Sequence, residues 1–296
     1  MTHAHHHHHH GLTSAPGGDR KLVVAIGINV VLTVAQIIGG VFSGSLALIA
    51  DAIHNLSDAA ALAIALIARR IARVPADDDH TFGHGRAELI AAVFNLSWLI
   101  FIGIFLIFEA IKRLIDPQPV EGWTVVIVAG IALAVDLWTV FLTFRMAKES
   151  MNIRAAFIHN MSDALASLGV IIGGVLILTF GWLFVDAIVT LAIAGYILVH
   201  AGIEIPKVIH ILMQGVPKDL EVSVVTADLK QVDDVIDIQH VHIWHIDEHR
   251  RSFEAHIVVD GPADMEPVKK TLRQRLADNF DITHSTLEFE FAATEP

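Results

Sequence analysis

Histidine and aspartate recur four residues apart at two places in the chain: His54 with Asp58 in HNLSDA, and His159 with Asp163 in HNMSDA. Residues i and i+4 share one face of an α-helix, so each motif presents an imidazole and a carboxylate in the same direction. Two imidazoles and two carboxylates make up a tetrahedral shell of the kind zinc takes. Two ionised aspartates also balance one divalent cation. Without the cation, such a site takes up protons, and histidine, with a reference pKa of ~6.5, is the natural acceptor beside a carboxylate. Metal and protons then compete for the same atoms, which is the physical basis for exchanging one for the other.

Both motifs lie inside apolar runs, the first in SLALIADAIHNLSDAAALAIALIA. Ionisable groups within a membrane span are costly and line a pathway or a binding site. The plainer alternative, polar residues that glue helices together, fits one such pair better than two near-identical ones. Asp51, three residues before His54, is expected either as a further acid at the site or as a group orienting an imidazole. Asn55 and Asn160 are expected to serve helix contacts.

The elements that must position these groups follow from composition. The chain has 296 residues, of which 54% are hydrophobic and 18% charged, with a mean hydropathy of +0.58. Soluble domains carry about a quarter charged residues. Cysteine is absent, which excludes disulfides and thiolate metal sites, and the net charge of −12 argues against nucleic acid as a partner. Apolar runs long enough to cross a bilayer lie at about 22–43, 46–68, 87–111, 123–144, 155–180 and 182–203, predicting six membrane helices. Basic residues (Arg20, Lys21, Arg69, Arg70, Arg73, Arg86, Arg145, Lys148, Arg154, Lys207) cluster on alternate connections, so both termini are expected in the cytoplasm.

The stretch 1–19 holds seven of the 19 histidines and reads as a purification tag with a flexible leader, or else as a native metal-gathering tail. The membrane domain is expected over 20–206, and 207–296 reads as a separate cytoplasmic domain. There a helical segment near 218–232 precedes two alternating strands, IDIQHVHIWHID and SFEAHIVVDG. A helix in PVKKTLRQRLADNF and a last strand in THSTLEFEF complete a small α+β fold, one helical layer on one sheet.

With these motifs in place, the sequence resembles the cation diffusion facilitators, in particular their zinc-exporting branch. The resemblance rests on SGSLALIADAIHNLSDAAAL, PADDDHTFGHGRAE, AAFIHNMSDALASLGV, GWLFVDAIVTLAIAGYIL, HVHIW and FDITHSTLEFE, which together span nearly all of the chain after the leader. It implies a homodimer in the inner membrane, six helices per protomer, and a metallochaperone-like (ferredoxin-like) cytoplasmic domain. It also implies export of divalent metal from the cytoplasm in exchange for protons by alternating access. His54, Asp58, His159 and Asp163 match the family's transport site, and a histidine at 54 resembles the zinc-preferring arrangement. Cobalt, nickel, cadmium or iron are the alternative cargoes.

The loop PADDDHTFGHG, read alone, is a solvated helix-capping segment; the resemblance makes Asp77, His80 and His84 a second zinc site. In the tail it implies a third at His240, His256 and Glu290, with Glu288 as a further candidate. Without it, these histidines read as a packed strand face, with His240 and His242 on one side. Some relatives carry an acid where this chain has Gln214, so a charge interlock with Arg86 is not expected. HIDEH at 245–249 has the outline of an inverted zinc-peptidase motif, but that chemistry needs a helix and these residues end a strand. The reading is therefore a secondary transporter with no organic cofactor, rather than a metalloenzyme or a membrane metal sensor.

Overall fold

The computed structural model describes residues 18–144, 151–260 and 265–291, without the side chains of 18–26, 28, 29, 62, 65, 66, 142–144, 151–156 and 159. Residues 1–17 of the histidine-rich leader lie outside the described residues, and its last two, Gly18 and Asp19, open the first helix. Six long helices come first: α1 (Gly18–Ser43), α2 (Leu46–Ala72), α3 (Ala87–Ile115), α4 (Gly122–Phe144), α5 (Met151–Phe180) and α6 (Phe184–Leu212). A small α+β segment follows, with α7 (Val222–Leu229), β1 (Val235–His245), β2 (Arg251–Val259), α8 (Met265–Phe280) and β3 (His284–Phe291). Among the described residues, four stretches are long and apolar enough to cross a membrane: Ala87–Ile115, Gly122–Phe141, Asn160–Phe180 and Phe184–Leu212. Chain contacts divide the structure into two compact units, one of residues up to 62 with 99–200, the other of 63–98 with those from 201 onward.

The first unit is apolar outside and holds polar residues among the apolar ones of its interior. Gln36, Asp51, Ser167 and Thr190 are buried, whereas Phe101, Phe105, Phe108 and Phe141 are exposed. In water this distribution would be unfavourable; in hydrocarbon, outward apolar side chains cost nothing and polar ones must find partners inside. Small residues let α4 and α5 approach closely. A Cβ added at Gly174 would stand 2.9 Å from Val126 and 3.1 Å from Val125, the small-residue packing typical of membrane helices.

In the second unit the sheet order is β1-β2-β3, with β1 and β2 antiparallel and β2 and β3 parallel. Parallel neighbours need a crossover, and α8 supplies it. Val268, Leu272 and Leu276 recur every four residues on its buried face and pack with Val225 and Leu229 of α7 over Phe253, Ala255, Ile257 and Val259 of β2. This is the single helical layer on one sheet that the alternating pattern predicts. The alternation breaks twice: the β1–β2 register shifts between Val235 and Asp237 and again between Gln239 and His242, where His240 takes φ 49°. Spacing by two therefore does not set the faces of His240 and His242, because the bulge intervenes.

Candidate metal sites

Inside the first unit, α2 and α5 bring His54, Asp58 and Asp163 together. His54 Nε2 lies 3.6 Å from Asp58 Oδ2 and 3.4 Å from Asp163 Oδ1. One ligand atom from each residue falls within 4.8 Å of the others, a spacing that suits a shared metal ion. His54 and Asp163 are buried and Asp58 partly so. His159 lies one turn before Asp163 on α5, and its side chain is outside the described residues. The Tyr196 ring of α6 meets His54 edge-on at 6.1 Å, beside a cavity of about 380 Å3 lined by Ser162, Leu165, Ala166 and Ile193.

The start of α2 is held by a residue that the sequence reading passed over. Asp186, at the head of α6, accepts hydrogen bonds from Ser45 Oγ (2.5 Å), Leu46 N (2.8 Å) and Ala47 N (3.3 Å). Arg113 stands 3.7 Å from the same carboxylate and donates to the Gly44 carbonyl. A carboxylate at a helix N-terminus satisfies orphan N–H groups and complements the helix dipole; here it fixes the helix that carries His54 and Asp58.

Asp51 bonds to residues of neighbouring helices. Its Oδ2 accepts from Gln36 Nε2 at 2.7 Å and lies 3.3 Å from Ser167 Oγ, while Asn55 Nδ2 donates to Gln36 Oε1 at 3.2 Å. Asp51 thus belongs to a polar layer joining α1, α2 and α5, and Asn55 makes the helix contact expected of it.

In the second unit, the loop between α2 and α3 folds around Asp77. Asp77 Oδ1 accepts from the backbone N–H of His80 (2.6 Å) and Asp79 (3.0 Å). The His80 N–H, with the His80 ring 3.3 Å away, holds the Asp77 carboxyl below its usual range. His84 Nε2 lies 3.9 Å from Asp77 Oδ2, and the two imidazoles are 4.3 Å apart. Gly83, at φ 77°, provides the left-handed turn that brings His84 back over His80. Asp77, His80 and His84 form a second converging ligand group, and among the described residues His84 Nδ1 is buried without a hydrogen-bond partner.

The loop is tied to the β1–β2 turn. Arg86 Nε donates to the Ile246 carbonyl at 2.9 Å, and Arg250 Nη2 to that of Phe82 at 3.0 Å. Gln214, at φ 58°, lies in the turn after α6. HIDEH ends β1 and enters that turn, so it is not helical. The turn also brings Glu248 and His249 to Glu88 of α3, a third converging group. The sequence holds no signal for it, because its members are 160 residues apart.

On the outer face of the sheet, His256 Nδ1 lies 2.6 Å from Glu290 Oε1 and its Nε2 3.5 Å from Glu288 Oε2. The His240 ring is 4.7 Å from that of His256. The three residues expected here meet, with Glu288 beside them, although without the tight mutual spacing of the other groups.

Such a bundle, with its apolar exterior and buried acids, together with the small α+β tail, defines a multi-pass membrane protein. Residues 22–213 match the family model for the cation efflux transmembrane domain, and residues 217–291 that for the cytoplasmic domain of cation efflux proteins. The chain belongs to this family, the cation diffusion facilitators, and is a cation efflux transporter rather than an enzyme. It is 36% identical to the metal cation efflux system protein CzcD of Cupriavidus metallidurans, over 95% of this chain and 89% of that one. It is 35% identical to the zinc transporter ZitB of Pectobacterium atrosepticum, over 93% and 86% respectively. A cadmium, cobalt and zinc/H(+)-K(+) antiporter of Bacillus velezensis is 34% identical, over 94% and 90%.

Proposed function

We propose that the chain exports zinc from the cytoplasm in exchange for protons, by alternating access around a site made of His54, Asp58, His159 and Asp163. The observation that carries this reading is the convergence of His54, Asp58 and Asp163 inside an apolar bundle. His159, one turn from Asp163, completes the four-ligand shell. The metal is cargo: it binds when the carboxylates are ionised and the imidazoles neutral, and protonation of those atoms on the other side releases it. Relatives named as zinc transporters and as an H(+)-coupled antiporter support both halves of the exchange. Cadmium and cobalt, in the name of one relative, make the broader divalent range the second reading.

The chain works as a homodimer in the inner membrane with both termini in the cytoplasm. Its membrane domain covers 20–206 and its cytoplasmic domain 207–296. The match of the tail to the family's cytoplasmic-domain model, named ZT_dimer, supports the dimer. Zinc held by Asp77, His80 and His84 in the loop, and by His240, His256 and Glu290 in the tail, sets the resting conformation according to cytosolic metal. The orphaned Nδ1 of His84 and the acids flanking His256 suit such binding. Purified protein in liposomes should take up zinc when a pH gradient is imposed, and Asp163→Ala should abolish the uptake. Undiminished flux in that variant would remove the site assignment.

A further inference from the structure

One buried acid has no part in the exchange described so far. Asp136 lies on α4, inside the bundle, and is 8% exposed. Its Oδ2 is 3.1 Å from Ser167 Oγ of α5, and the same hydroxyl oxygen is 3.3 Å from Asp51 Oδ2 of α2. Ser167 is fully buried and Asp51 is 1% exposed. Two carboxyl groups from different helices thus meet across one serine oxygen.

A hydroxyl carries one hydrogen. If both carboxyls were ionised, Ser167 could donate to only one of them, and the other contact would set two oxygen lone pairs against each other. One carboxyl proton resolves this. A protonated Asp136 donates to Ser167 Oγ, and Ser167 donates to Asp51 Oδ2, which also accepts from Gln36 Nε2 at 2.7 Å. In the mirror arrangement a protonated Asp51 Oδ2 donates to Ser167 Oγ, and Ser167 donates to Asp136 Oδ2. Either way, the pair holds one proton between two acids, as like charges in a low-dielectric interior require.

We propose that Asp136 and Asp51, bridged by Ser167, form a second proton-binding site that releases its proton when metal enters the transport site. The inference rests on the proposed exchange at His54, Asp58 and Asp163. The coupling is electrostatic. Asp163 precedes Ser167 by four residues, about 6 Å along α5, and His54 follows Asp51 by three on α2. The charged groups acting on Asp51 are Asp136, His54 and Asp163, and its α1 partner, Gln36, is uncharged. A dication arriving among His54, Asp58 and Asp163 stabilises an ionised pair one turn away, so the proton leaves; departure of the metal draws a proton back. Protons are then exchanged for metal at groups that need not touch it.

The test uses the full-length protein in lipid. Infrared difference spectra on adding zinc at neutral pH should show loss of a protonated-carboxyl C=O band, absent from both Asp136→Asn and Asp51→Asn. Ser167→Ala keeps both acids and should keep the band, shifted to higher frequency by the lost hydrogen bond. In liposomes with an internal pH dye, Asp136→Asn should move about one proton fewer per zinc, with zinc affinity changed less than tenfold. Asp163→Ala separates the two readings: if it fails to bind zinc, the band should still be present before zinc is added. A band that persists unchanged in both asparagine variants, or an unaltered proton-to-zinc ratio in Asp136→Asn, would overturn the proposal.

Discussion

Gly85, next to His84, faces the carboxylate of Asp247. A Cβ placed there would run into Asp247 Oδ2 and stand 2.9 Å from its Cβ and Cγ. The aspartate has no room to yield. Its Oδ1 accepts from His249 N (2.9 Å) and Arg250 N (2.8 Å), its Oδ2 from Arg250 Nε (2.6 Å), and the residue is 7% exposed. Gly85→Ala must therefore displace Asp247 and disrupt these bonds, or push the loop off the turn. Hydrogen bonds to a charged group contribute about 1.5–3 kcal/mol each. Three bonds around one carboxylate are not additive, so the expected loss is about 3 kcal/mol in total. For a fold of this size that corresponds to a fall of roughly 5–10 °C in melting temperature, measurable by scanning fluorimetry in detergent. Zinc affinity of the loop group should weaken with it, because His84 moves with Gly85. Asp247→Gly removes the obstacle, its Cβ included, so adding Gly85→Ala to that background should cost less than about 0.5 kcal/mol. A Gly85→Ala protein that melts like the wild type, or a double variant with fully additive losses, would refute this packing argument.

Two further outcomes follow from electrostatics. Asp186→Asn should destabilise the start of α2 by about 1–3 kcal/mol and reduce zinc affinity at the transport site, because the amide cannot accept all the bonds that Ser45, Leu46 and Ala47 donate; unchanged melting and unchanged calorimetric zinc binding would count against that role. Burial, with Arg251 nearby, depresses the pKa of His245, so folding favours the neutral ring. Its contribution to stability is therefore constant above pH ~6.5 and declines as pH falls below that value. Comparing denaturant midpoints of the wild type and His245→Gln at pH 7.5 and at about 5.5 should show the smaller acid loss in the variant.

The six helices and the order of the tail elements were legible because each rests on a local signal, either a long apolar run or a period-two alternation. His54 and Asp58 were legible for the same reason: the i, i+4 relation needs only a helix. Asp136, Ser167 and Asp186 gave no such sign. Each is a single polar residue in a span, and its partners come from other helices, so only packing reveals them. Asp51 was expected either as a further acid at the site or as a group orienting an imidazole; its bond from the amide of Gln36, 15 positions away, has no local signal. His240 shows the limit of a strand pattern, because a single extra residue at the bulge alters which way the following side chains face. Glu88, Glu248 and His249 meet only because the β1–β2 turn is pinned to the loop before α3.

The length of the helices has a consequence in lipid. α2, α3 and α6 have 27 to 29 residues. At 1.5 Å per residue this is about 40–44 Å, beside a hydrocarbon layer of about 30 Å. Helices of that length must tilt or extend into the headgroups and water, and thinning the bilayer makes them lean further. Short-chain and long-chain lipids should then act on this carrier through the inclination of α2, the helix that bears His54 and Asp58.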